Sequence, residues 1–261
     1  MSKVFVIAEA GVNHGGIFWS AMDLVDAAKD VGADAVKFQM FSSQKLWGDD
    51  RIAHLELPAK AYTALKAHCD EIGIEFMCTA FGVEELQFLL DIGIRRIKIP
   101  SGLVKDRELI REASRTPLPV ILSTGMCGIT DLFPALAILA NRNVTLLHCT
   151  SAYPCPLEDV NLSAMDKLRE TFEYPVGYSD HTDWILASIA AVARGAVVIE
   201  KHFTLDRNEK GPDHKSSIEP YQFAEMVAQI RTVETMLGDG HKKVRPSELE
   251  LREVWRNRVQ R

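Results

Sequence analysis

Eight short runs rich in apolar and β-branched residues, each followed by a segment with helical spacing, constrain this chain more than any other feature. The runs are Val4–Ala8, Ala35–Gln39, Glu75–Thr79, Arg96–Pro100, Pro119–Ser123, Val144–His148, Pro175–Ser179 and Val197–Glu200. Between them, segments such as Ala21–Ala28, Val83–Leu90 and Trp184–Ala193 repeat apolar residues every three to four positions, the spacing of a helix with one buried face. Strands that alternate with helices run parallel, because each helix carries the chain back to the starting end of the sheet. Eight such units in 261 residues predict a single-domain (β/α)8 TIM barrel. An open doubly wound sheet is the competing architecture, but the phosphate-binding glycine pattern that would follow its first strand is absent.

Glycines at positions 32, 73, 93 and 195 close the predicted helices, and Thr130-Asp131 and Thr182-Asp183 mark helix starts. The last barrel helix is expected over Tyr221 to Leu237. Residues 1–240 are therefore read as the barrel and 241–261 as a tail or linker, its charged part from Ser247 having weak helical character.

The balance of the chain narrows its partners. A net charge of −6 and a pI near 5.8 give no general attraction to nucleic acid or to anionic membranes, so an anionic ligand would need locally placed cations. The apolar runs are too short to span a bilayer, and the N-terminus enters a strand-like run without a signal-peptide pattern, which predicts a cytoplasmic protein. Five cysteines without zinc-type spacing are expected as free thiols that pack rather than react.

Barrels of this kind keep their chemistry at the C-terminal ends of the strands. Here every strand end is polar. His181 and His202 stand at the ends of neighbouring strands and are read as metal ligands, the alternative being satisfied core imidazoles; His148 and His14 are weaker candidates. Lys37 and Lys98 lie inside otherwise apolar runs, where an unpaired charge is costly. They are read as cations for a phosphate or carboxylate, helped by the hydroxyls of Thr79, Ser101, Ser123 and Ser179. The alternative pairs either lysine with a buried carboxylate such as Glu9 or Glu200. Glu9 is a candidate general base or acceptor for a substrate hydroxyl, unless it serves as partner to Lys37 or Lys201. The turn Gly211-Pro-Asp-His-Lys215 either folds over the mouth to bind a polyol or is plain surface loop.

Seven ordered segments carry a wider likeness: Ile7–Gly16, Val36–Gln39, Ile97–Gly102, Leu122–Met126, Leu147–Pro154, Gly177–Thr182, and Ile199–Asp206 with Gly211–Lys215. In these the chain resembles the N-acetylneuraminate (sialic acid) synthase family. The resemblance implies condensation of phosphoenolpyruvate with an open-chain N-acetylhexosamine, typically N-acetylmannosamine, to a nine-carbon 2-keto acid and phosphate. It also implies a divalent metal, usually Mn2+, with Mg2+ or Co2+ as alternatives, and a homodimer. Carried over by residue, it assigns His181 and His202 to the metal and Lys37, Thr79, Lys98, Ser101, Ser123, Ser151 and Ser179 to phosphoenolpyruvate. Glu9, Tyr153 and Asp213 would contact the amino sugar, with Glu9 and His202 as the catalytic pair. The sequence departs from the family at Ser151, where Asn is common, and over Met40 to Leu57, where the family's sugar-binding Asn is missing. Family members usually continue into a C-terminal antifreeze-like domain. The chain ends at Arg261, which reads as a truncated chain, as a domain supplied by a separate polypeptide, or as a barrel-only relative. Two other functions compete: a Schiff-base aldolase using Lys37 or Lys98, and a non-catalytic or partner-dependent sugar-phosphate binding barrel.

Overall fold

A computed structural model describes residues 3–140 and 142–259. Eight parallel strands close in sequence order into one barrel: β1 (Phe5–Gly11), β2 (Ala35–Met40), β3 (Glu75–Ala80), β4 (Ile97–Ile99), β5 (Val120–Ser123), β6 (Val144–His148), β7 (Val176–Asp180) and β8 (Val198–His202). The helices are α1 (Phe18–Asp30), α2 (Ser43–Trp47), α3 (Ala59–Ile72), α4 (Val83–Asp91), α5 (Arg107–Ser114), α6 (Ile129–Ile138), α7 (Ala164–Phe172), α8 (Leu186–Ala193), α9 (Pro220–Leu237) and α10 (Leu249–Val259). The barrel predicted from periodicity is thus the one observed. Among the described residues no helix is long and apolar enough to cross a membrane.

Successive side chains on a strand point to opposite faces, and the strands of this barrel separate two cores by that rule. One face packs on the helices, with Val6, Ala8, Val36, Phe38, Phe76, Val120, Leu122, Leu146 and Ile199 in the large outer cluster. The other fills the lumen, where Ile7, Ala35, Met77, Ile121, Leu147 and Val198 form a separate buried layer. Below it, Arg96 bonds Glu75 at 2.8 Å and lies over the Phe5 ring at 4.2 Å, closing the N-terminal end.

Local chemistry explains most element ends. Asp106 caps α5 by accepting from the amides of Glu108 and Leu109. Gly73 ends α3 in the left-handed region at φ 76°, a conformation that costs glycine little, and Gly32, Gly93 and Gly195 follow their helices at similar angles.

Two expected starts are displaced. Helix α6 begins at Ile129, and Asp131 sits inside its first turn, accepting from the Gly128 amide at 2.8 Å. Helix α8 begins at Leu186 instead of Thr182. The intervening residues are held as a loop because the buried ammonium of Lys201 takes the carbonyls of Thr182 and Trp184.

Candidate active site

The period of two that builds the apolar lumen layer also builds the site above it. Stepping two residues along from Ile7, Ala35, Met77, Ile121 and Val198 gives Glu9, Lys37, Thr79, Ser123 and Glu200, all buried and facing one cavity. Lys98 on β4 and Ser179 on β7 complete this polar layer. A further two residues along β2, β7 and β8 stand Gln39, His181 and His202. The lysines within apolar runs are therefore lumen residues, placed by register: Glu9 pairs with Lys37, Thr79 with Lys98, and Ser179 with Glu200 across neighbouring strands.

The cavity holds about 600 Å³ and brings together all twelve expected residues: Glu9, Lys37, Thr79, Lys98, Ser101, Ser123, Ser151, Tyr153, Ser179, His181, His202 and Asp213. Tyr153 and Ser151 arrive on the loop after β6, Ser101 on the turn after β4, and Asp213 on the long connection after β8. His14 and His148 stand outside the residues that line it. His148 bonds the Val160 carbonyl at 2.8 Å on the helix side of β6, and His14 accepts from the Gly16 amide at 3.0 Å. Lys201 also faces outward and pairs with Asp180 at 3.2 Å.

At the floor two ammonium groups meet two carboxylates. Lys37 Nζ lies 2.7 Å from Glu9 Oε2 and 3.4 Å from Glu200 Oε2, and donates to Thr79 Oγ1 at 3.0 Å. Lys98 Nζ lies 3.5 Å from Glu200 Oε1, which also accepts from Ser179 Oγ at 2.9 Å. Both lysines thus have the buried carboxylate partners that were the alternative to anion binding, while their ammonium groups line the cavity. Burial lowers the pKa of Lys98, with Lys37 adding to the effect. Burial also opposes the charge on Lys37, but Glu200 and Glu9 outweigh it and raise its pKa. Burial would raise the pKa of Glu200, yet the two ammonium groups hold it below the usual carboxylate range. One hydroxyl in the layer has no partner: Ser123 Oγ is fully buried and makes no hydrogen bond. Beside it the backbone of Gly125 comes close, since a Cβ there would lie 2.4 Å from Ser151 Oγ and 2.9 Å from Ser101 Oγ.

Above the floor the rings of His181 and His202 are 5.6 Å apart, and Tyr153 lies 4.3 Å from His181. His181 Nδ1 is 2.7 Å from the carbonyl of Thr150, which can only accept, so Nδ1 carries the proton and Nε2 keeps its lone pair. Burial, reinforced by His202, pushes the His181 pKa down to about 4, so the ring is neutral near pH 7. His202 Nδ1 is buried without a hydrogen-bond partner and lies 3.9 Å from Asp213 Oδ2. Among the described residues no cluster of three or more His, Cys, Asp or Glu side chains is arranged to hold a metal. Two imidazoles, one oriented by a backbone carbonyl and one with an unsatisfied ring nitrogen, still fit a divalent ion whose other positions go to water and substrate.

Three parts of the site were not assigned from sequence. Glu200 reads along the chain as a lysine partner, but it stands two residues before His202 and so shares its face. Gln39, two residues after Lys37, donates to Glu9 Oε1 at 2.9 Å. The wall from Val12, Phe41, Leu46, Ile52, Leu55 and Phe81 comes mostly from a connection without periodicity, and no local signal marks it.

The NeuB family pattern matches residues 24–242. An N,N'-diacetyllegionaminic acid synthase of Campylobacter jejuni is 42% identical, over 95% of this chain and 81% of that protein. An N-acetylneuraminate-9-phosphate synthase of Homo sapiens is 35% identical over 95% of this chain and 75% of its own length. The crystal structure of an N-acetylneuraminic acid (sialic acid) synthetase from Leptospira borgpetersenii, in complex with citrate, superposes with a TM-score of 0.94 at 37% identity, covering 100% of this chain and 93% of that one. On the match to the family pattern and on these relatives, the chain belongs to the NeuB family, whose members compared above are sugar-acid synthases.

Proposed function

We propose that the protein condenses phosphoenolpyruvate with an open-chain N-acetylhexosamine, N-acetylmannosamine or a relative, and water, giving a nine-carbon 2-keto sugar acid and inorganic phosphate. The observation that carries this reading is the layering of the lumen. Buried ammonium and hydroxyl groups suited to a phosphate-bearing acid lie beneath a pair of imidazoles.

Lys37 and Lys98, with Thr79, Ser101, Ser123, Ser151 and Ser179, hold the phosphate and carboxylate of the enol ester. Glu200 lies against both lysines and favours their charged forms. The partnerless Ser123 hydroxyl and the close backbone at Gly125 make room for ligand oxygens. Holding the enol in line with the aldehyde lowers the barrier chiefly by positioning. Carbon 3 of the enol forms the new bond to the aldehyde carbon, whose oxygen takes up a proton. Water then adds at carbon 2, and the bond from that carbon to the phosphate oxygen breaks. Glu9, oriented by Gln39, is the group placed to move these protons, and Tyr153 and Asp213 face the acceptor hydroxyls. His181 and His202 would hold a divalent metal, manganese in this reading, which when bound supplies Lewis acidity at the aldehyde oxygen.

The test is phosphate release from phosphoenolpyruvate. Release is expected only with both an N-acetylhexosamine and Mn2+ present, to be lost on chelation and to return with added metal. His202→Ala is expected to lower turnover at least about a hundredfold with loss of bound manganese; a loss under about tenfold with metal content unchanged would refute its role as a ligand. One observation favours a Schiff-base aldolase instead: burial lowers the pKa of Lys98, as an amine nucleophile needs. Borohydride trapping of a keto acid on Lys98, with activity that survives chelation, would establish that chemistry over condensation.

A further inference from the structure

Asp213 reaches the cavity on the connection between β8 and α9, a stretch too irregular to place a carboxylate by itself. The two ends of that connection are tied together: the Ile218 amide donates to the His202 carbonyl at 2.9 Å, and the Thr204 amide donates to the Ile218 carbonyl at 3.1 Å. Buried His214 anchors the turn beside Asp213, its Nδ1 lying 2.8 Å from Thr204 Oγ1. Asp213 itself is held from a different strand. Asn13, on the loop after β1, donates through Nδ2 to the Phe203 carbonyl at 2.9 Å and to Ser217 Oγ at 2.8 Å. Ser217 Oγ in turn donates to the Asp213 carbonyl at 2.7 Å. One carboxamide therefore joins the residue that follows His202 to the backbone of Asp213.

We infer that Asn13, with Ser217 as its relay, is a positioning residue that holds the Asp213 carboxylate beside His202 for contact with the acceptor. The inference rests on the condensation reading for what Asp213 does, but not for how Asp213 is held. Asn13 is 4% exposed and stands outside the residues that line the cavity, so it acts only through its neighbours. Both of its contacts demand a donor. The Phe203 carbonyl can only accept, and Ser217 gives its own proton to Asp213, so Nδ2 must face them and Oδ1 must turn away. Among the described residues nothing donates to that oxygen. A buried acceptor without a partner costs about as much as a hydrogen bond returns, so the carboxamide adds little to stability and is better explained as a clamp. The carboxylate it serves has little room to wander. Asp213 Oδ2 lies 3.9 Å from His202 Nδ1, and a Cβ on Gly11, at φ 53°, would lie 3.0 Å from the same oxygen.

Steady-state kinetics with N-acetylmannosamine, phosphoenolpyruvate and Mn2+ test this. Asn13→Ala is expected to lower kcat/KM for the sugar about thirtyfold, the scale of a displacement near ~1 Å, with the KM for phosphoenolpyruvate changed less than about twofold. In an Asp213→Asn background the same change is expected to cost less than about threefold more, because the group it positions has already lost its charge. Ser217→Ala keeps the Phe203 contact and is expected to be milder, at about tenfold, while Ser217→Thr keeps the hydroxyl and should retain at least about half of the parent value. Losses that multiply in the double variant, or an equal rise in both KM values, would overturn the inference and leave condensation standing. A crystal structure of Ser217→Ala decides the clamp independently of activity. Asp213 Oδ2 displaced by about 1 Å or more supports it, and Asp213 Oδ2 still 3.9 Å from His202 Nδ1 overturns it. Absence of phosphate release by the parent protein would refute condensation alone, with the crystal structure still deciding what holds Asp213.

Discussion

A hydroxyl that is buried and bonded to nothing is the most informative single atom in the site. Ser123 Oγ faces the cavity and has no partner, so its removal takes little from the ligand-free protein. Ser123→Ala is expected to leave the urea midpoint nearly unchanged and to raise the KM for phosphoenolpyruvate roughly tenfold or more, the worth of a hydrogen bond to a charged group. A purely structural serine would show the reverse pattern. His14 makes a different kind of prediction, about pH. It is buried beside Phe38, and burial lowers its pKa to about 4 from 6.5. Between those values the unfolded chain binds a proton that the folded protein excludes, so stability rises with pH through this window and is lost as pH falls through it. The contribution is about 3 kcal/mol at most. Urea unfolding at pH 6.5 and 4.5 is expected to show His14→Gln losing about 2 kcal/mol less than the parent protein over that interval. An equal loss in both proteins would refute this account. Neither residue's environment could be read locally. Ser123 was legible as a polar strand end and His14 only as a doubtful ligand, because the burial of each depends on segments far away in the chain.

At the level of elements, the two imidazoles are set by a feature on the reverse face of their strands. Asp180 and Lys201, each one residue before a histidine, are partners across β7 and β8 and point toward α8. Asp180 also accepts from the Thr182 amide at 2.8 Å and from Ser188 Oγ at 2.6 Å, while Lys201 ties down the carbonyls of the loop after His181. Breaking a fully buried pair on one side strands the other charge, at a cost of about 3–5 kcal/mol. Lys201→Met is expected to be that much less stable in urea, and calorimetry is expected to show at least about tenfold weaker Mn2+ binding. Lys201→Met combined with Asp180→Leu should recover much of the stability without recovering the metal affinity. The same bonds explain why α8 starts four residues later than Thr182 suggests. A threonine and an aspartate look like a helix cap when read along the chain, but here their backbone serves a lysine from the next strand. Strand positions, by contrast, were legible to within a few residues, since a period of two needs no distant information.

Over the whole molecule, closure of the barrel converts a one-dimensional alternation into stacked layers. Gly177 shows how tight that closure is: a Cβ there would lie 2.4 Å from the Val198 carbonyl and 2.7 Å from Leu147 Cδ2. Gly177→Ala is expected to destabilise the barrel by about 2 kcal/mol, seen as a lower urea midpoint, because backbone of the neighbouring strand has to move. Patterning along the chain was enough to establish eight parallel units and the polar character of the strand ends, while the set of twelve residues that share the cavity came from the family resemblance, four of them standing on loops that no period marks. The units and the polar ends follow from hydrophobic period and strand register, which are local and repeat. The tertiary structure decided which charge meets which: Lys37 with Glu9 and Glu200, Lys98 with Glu200, and Lys201 with Asp180 on the opposite face. It also decided the apolar wall built by Phe41 to Leu55, whose side chains come together only when that segment folds over the mouth. Pairing and enclosure depend on distances between residues far apart in sequence, and those distances exist only once the eighth strand has closed on the first.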